Sequence, residues 1–164
     1  MTIRPHRYFL FVLLCLTLNA HGQSAKDAVK AFSKLDARIE TGVSYRDYVA
    51  ELGDVNFELK SFADTPEAKK RPEILALLMR AMALHVEAKE LWAITFGRHG
   101  IKTLTTVPGG LGSSLLSEYP DAAKDAGNGG AMISGQIYVE FLLPFIWRDA
   151  SGNVARARKQ LISQ

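Results

Sequence analysis

From residue 25 onward, apolar positions recur every three to four residues, the spacing of helices that bury one face. Over residues 25–41, Ala28, Val29, Phe32, Leu35 and Ile39 share one side, with Lys30, Lys34 and Arg38 opposite. Gly42 is a natural stop, and Ser44 with Asp47 three residues on reads as a capped restart. Over 45–63 the segregation is clearer: Tyr45, Tyr48, Val49, Leu52, Val55, Leu59 and Phe62 fall on one arc, and Arg46, Asp47, Glu51, Asp54 and Glu58 lie outside it. Gly53 costs this helix about 1 kcal/mol relative to alanine, which predicts close helix packing or a bend there. Asp64 to Arg71 reads as a polar connection, and Pro72 suits the first turn of the next helix. That helix, 72–96, is the longest predicted. Its solvent stripe is thin (Glu73, Arg80, Glu87), which places it centrally.

The pattern changes at Gly97. Eight of the 13 glycines fall between Gly97 and Gly130, so 97–113 reads as a long loop with a short extended piece at Ile101 to Val107. A short helix is expected at 114–126, capped by Ser113 or Ser114 and interrupted near Pro120. GNGG marks a second break. Residues 131–148 read as a buried helix kinked at Pro144, and 153–163 as a last helix. The expected fold is all-α: a single-domain helical bundle of five or six helices, built around 45–63, 72–96 and 131–148, with a glycine-rich loop region in its second half.

The first 22 residues carry a different pattern. Arg4 and Arg7 precede an apolar run, Tyr8 to Leu18, that is too short to span a bilayer. Ala20 and Gly22 then offer a cleavage site, so residues 1–22 read as a cleavable signal peptide and 23–164 as the helical domain. Periplasmic or secreted localisation follows as the expectation, with no transmembrane segment in the mature chain.

Composition sharpens this in two places. The formal charge is +3, but the leader carries two of the 20 Lys and Arg and none of the 17 acids, so the mature domain is close to neutral and nucleic acid is not an expected partner. The single cysteine, Cys15, leaves with the leader, which removes disulfide, thiolate and cysteine–metal chemistry from the mature chain.

Candidate chemistry centres on misplaced polar residues. His85 and Lys89 lie one turn apart within the apolar arc of Leu75, Leu78, Met79, Met82, Val86, Trp92 and Phe96. Asp36 lies on the apolar side of the first helix, and Glu140 is the lone charge between Ser134 and Trp147. Buried charges require partners, so Lys89 or His85 is expected to pair with Glu140 or Asp36 inside the bundle. With Tyr48 and Trp92, these residues form the candidate ligand pocket. Met79, Met82 and His85 carry copper-compatible ligand atoms, but methionines on an apolar arc ordinarily fill core space, and no metal or cofactor is assigned. PGGLGSS lacks the lysine of a phosphate loop, and neither G-x-S-x-G nor H-E-x-x-H occurs, so no catalytic residue is assigned. Arg98 and His99, with Gly109 and Gly110, form the candidate edge for a partner.

The segment KLDARIETGVSYRDYVAELGDVNFELKSF (34–62) resembles exported bacterial helical proteins carrying an ETG-x-x-YRDY-x-x-x-LGD-like stretch, a family of unknown function. Tyr45, Tyr48, Gly53 and Asp54 belong to that pattern, and the resemblance implies no activity. The expected function is that of a non-enzymatic protein-interaction module meeting a protein partner through residues 97–130. The alternative is a small-molecule binder using the polar pocket around His85, Lys89 and Glu140.

Overall fold

A computed structural model describes residues 24–96, 100–129 and 132–163. The leader, Arg98 and His99 lie outside the described residues. Helix α1 spans Ala25–Thr41 and opens with a capping box, Ser24 accepting from the Asp27 N–H while the Asp27 carboxylate accepts from the Ser24 N–H. Gly42 ends it at φ +88°, donating to the Ile39 carbonyl. Ser44 caps α2 (Tyr45–Ala63) by accepting from the Asp47 N–H. Gly53 is exposed, and a Cβ built there meets nothing within 4 Å, so no helix packs against it. The expected polar connection contains a further short helix, α3 (Pro66–Lys70), capped by Thr65 with Pro66 in its first turn.

Helix α4 (Pro72–Ala93) continues into a 3₁₀ turn, Ile94–Phe96. Its buried face is Ile74, Leu78, Ala81, Leu84, His85, Ala88 and Leu91. This face is turned by about one residue from the expected arc: Met79 and Phe96 face solvent, 57 % and 61 % exposed. Ala81 and Ala88 explain the turn, because these small residues let α7 approach where larger side chains would hold it off.

The glycine-rich half is more structured than expected. Strand β1 (Thr103–Thr105) is followed by α5 (Leu111–Glu118), α6 (Pro120–Gly129), β2 (Met132–Ile133) and β3 (Gln136–Tyr138). The strands form an antiparallel sheet in the order β1-β3-β2, with Leu104 opposite Ile137. Helix α5 begins at Leu111 after Gly110, with no side-chain cap, so neither Ser113 nor Ser114 is the cap.

Residues 132–138, expected to be helical, instead hold a β2–β3 hairpin. Ser134 (φ +51°) and Gly135 (φ +74°) both take positive φ, as a two-residue type I′ turn requires. Helix α7 then runs from Val139 to Ile162 as one element, through Pro144 and through the 149–152 gap that was expected to separate two helices. Asn153 stays in the helix because its side chain donates back to the Asp149 carbonyl and accepts from Arg156. Pro144 leaves the carbonyl of Glu140 without its helical donor, at a residue that is exposed.

Helices α4 and α7 make the most extensive pairing, with α1 and α2 against one end and the sheet, α5 and α6 against the other. Two apolar regions result. Phe32, Leu35, Leu52, Phe62, Leu78, Ala81 and Val154 belong to the first. Ala88, Leu104, Leu115, Ile137, Leu142 and Ile146 belong to the second. Trp92 and Trp147 touch both, so the seven α-helices among the described residues form one all-α domain. No helix among those residues is long and apolar enough to cross a membrane.

Candidate functional site

His85 sits at the junction of the two apolar regions, fully buried, one turn after Ala81 and just before Ala88 on α4. Tyr48, projected from α2 by its apolar stripe, brings its hydroxyl to 3.0 Å from His85 Nδ1 and 3.0 Å from the His85 carbonyl. Trp147 of α7 donates its indole N–H to the same hydroxyl at 3.2 Å. One phenol oxygen therefore ties three helices together.

The Tyr48 hydroxyl has a single proton. When it goes to the His85 carbonyl, the phenol oxygen accepts from both Trp147 and His85 Nδ1–H, and every donor facing it is used. In that tautomer Nε2 is an acceptor, buried with no hydrogen-bond partner among the described residues. Phe32 stacks near the ring, with centroids 6.0 Å apart and planes at 29°. Burial pushes the imidazole pKa down to about 4, so it is neutral near pH 7. Burial also pushes the Tyr48 phenol well above its ordinary range, and the Trp147 hydrogen bond opposes this only in part. This fully buried, neutral imidazole links α4 to α2 through the Tyr48 hydroxyl.

The expected pairing of Lys89 or His85 with Glu140 or Asp36 does not form. Glu140 is exposed in the first turn of α7, where a carboxylate complements the helix dipole. Lys89 is half-buried and makes no ion pair among the described residues. Trp92 joins Tyr48 and Trp147 in an aromatic cluster, with centroids 5.8 Å and 5.6 Å away. Met79 faces solvent while His85 is sealed, so the Met79–Met82–His85 set does not converge.

Asp36 stands apart from this cluster. Half-buried on α1, it accepts a 3.0 Å hydrogen bond from Ser151 Oγ of α7. Burial raises its carboxyl pKa above the ordinary value, and nearby Glu40 adds to the rise; the Ser151 hydrogen bond and Arg158 act against it. Trp147 and Ser151 were absent from the candidate set. Their signal was present in the sequence, since they lie one helical turn apart in the stretch leading out of the apolar run.

Of the candidate partner residues, Gly109 is exposed at φ +84°, in the turn before α5. Gly110 has a different role. A Cβ there would lie 2.7 Å from Thr105 Cγ2, and one at buried Gly112 would lie 2.6 Å from the Thr105 carbonyl oxygen. These glycines bring α5 against β1. Around them, Ile101, Val107, Leu111 and Tyr138 are between 40 and 56 % exposed. Tyr138 pairs with Thr103, whereas Leu104 and Ile137 form the buried pair, so the sheet turns apolar residues both inward and outward.

No protein-family model, no curated protein and no solved structure matches this chain.

Proposed function

We propose that the chain is an exported, non-enzymatic module that binds a protein partner through its glycine-rich half, and that it works in the periplasm or outside the cell. The observation that carries this reading is the apolar surface around β1 and α5. Ile101, Val107, Leu111 and Tyr138 remain exposed although Leu104 and Ile137 already supply the inner face of the sheet. Large apolar side chains left exposed on a sheet and its adjoining helix, beyond what the core uses, are candidates for a partner's surface. The rigid attachment of α5 to β1 through Gly110 and Gly112 supports the reading, because a pre-ordered surface loses less entropy on association. The leader pattern of residues 1–22 and the resemblance of residues 34–62 to exported helical proteins support export.

The test combines a photo-crosslinking residue at Leu111 with the double substitution Val107→Asp and Tyr138→Lys, using the protein in its native host. A discrete crosslinked species from the periplasmic fraction, lost in the doubly substituted protein while its circular dichroism and melting are unchanged, is the expected result. An identical crosslinking pattern with and without the substitutions overturns the assignment of the surface. Recovery of the protein with residues 1–22 still attached overturns the assignment of export.

A further inference from the structure

On the side of the bundle where α1 meets α7, a groove of about 540 Å³ opens beside Asp36, lined also by Ile39, Glu40, Pro144, Trp147 and Ser151. That volume falls within the range of small-ligand sites, about 300–1,000 Å³. The walls are mostly apolar, and the charged groups are unevenly committed. Arg148 also borders the groove, but its guanidinium pairs with Asp121 at 2.9 Å and lies 5.1 Å from the Phe145 ring centroid. Arg158 bonds the Ser33 hydroxyl. No cationic side chain among the described residues lies within ion-pair distance of either Asp36 or Glu40, which stand one turn apart on α1. Asp36 thus has one hydroxyl donor on one oxygen, and its remaining acceptor capacity is unused among the described residues.

The aromatic wall is fixed in advance. The Trp147 indole is anchored by its N–H bond to Tyr48 and by an edge contact with Trp92, centroids 5.6 Å apart at 68°. A ring held this way, beside a carboxylate that has lost part of its hydration, suits a cation on an apolar body. The ammonium gains the carboxylate and the aromatic ring together, and the body covers Ile39 and Pro144.

We propose that this groove is a binding site for a small primary amine with an apolar or aromatic body, the ammonium held by Asp36 with Ser151 as its neighbour and Glu40 at the rim. A primary ammonium has three donors, enough to use the open oxygen of Asp36 and the lone pairs of Ser151 Oγ at once. Asp36 and Glu40 repel an anion, and a neutral analogue brings no charge to Asp36. The site is separate from the proposed protein-binding surface, so either can fail alone.

The probes are phenethylamine and its neutral analogue 2-phenylethanol, titrated into the purified protein by calorimetry while the Trp147 indole N–H is followed by NMR. Phenethylamine is expected to bind about tenfold or more tightly than the alcohol, with the Trp147 resonance moving. Asp36→Asn keeps an acceptor for Ser151 and is expected to abolish the preference. Ser151→Ala keeps the carboxylate and is expected to retain it. If the asparagine variant fails to fold, Ser151→Arg, which brings a guanidinium to Asp36, is expected to block amine binding. Equal affinity for amine and alcohol, an amine preference that survives Asp36→Asn or Ser151→Arg, or no binding of either probe overturns the proposal.

Discussion

Replacing His85 by leucine isolates what a sealed imidazole does to the acid stability of this fold. In the native protein the ring's pKa falls from the ordinary 6.5 to about 4 because the interior disfavours the charged form. The unfolded chain therefore takes up a proton before the folded one does. Stability from this source is complete above pH 6.5, declines as pH falls toward 4, and is constant below that, where both states are protonated. At about 1.4 kcal/mol per pH unit, the full loss is about 3 kcal/mol. Leucine cannot titrate, and it removes the orphaned Nε2. It also leaves the Tyr48 hydroxyl its two best partners, the backbone carbonyl at position 85 and the Trp147 indole. Urea unfolding followed by far-UV circular dichroism is expected to show the variant within about 1 kcal/mol of the native protein at pH 7.5. At pH 4.5 the native protein is expected to have lost about 2.5 kcal/mol more than the variant. Asp36 and Glu87, whose carboxyls burial raises, act with the opposite sign, favouring the fold as pH drops, but they do so in both proteins and cancel in the comparison. Parallel stability–pH curves for the two proteins would refute the reasoning.

Three further substitutions probe the packing. Tyr48→Phe removes the shared oxygen and strands the Trp147 and His85 donors; a loss of about 1–3 kcal/mol is expected in urea melts with a shift in tryptophan emission, and an unchanged midpoint would count against the network. Gly112→Ala puts a methyl group 2.6 Å from the Thr105 carbonyl and is expected to cost about 1–3 kcal/mol, read as a lower melting temperature; a neutral result would mean that α5 does not rest on β1. Gly53→Ala, where the added methyl meets only open space, is expected to stabilise by up to about 1 kcal/mol, and a loss would show that the glycine has a role in packing.

The first half of the chain was readable because its boundaries are chemical. Gly42, Ser44 with Asp47, and Pro72 each use a local hydrogen bond or backbone preference that needs no tertiary partner. The burial of α4 was less readable, since its deepest stripe passes through Ala81 and Ala88, whose small size matters only once α7 lies across them. The hairpin at 132–138 did carry a signal, Ser134–Gly135 between short apolar runs, but the helical continuation beyond Val139 obscured it. In the candidate site, oddly placed polar residues separated into unlike roles. Tyr48 and His85 do meet, through an oxygen bond that no spacing rule specifies, whereas Glu140 is simply the solvated start of a helix. Asp36 is half-buried, and its partner is a serine 115 residues away rather than Lys89 or His85.

Helix α7 supplies side chains to both apolar regions: Val154 and Ala157 to one, Leu142 and Ile146 to the other. It is also the last of the described elements to be synthesised. Neither apolar region is complete without those 24 residues, so the two halves of the fold stand or fall together through this one helix. Truncation within it should dissolve the whole molecule rather than trim one end of it.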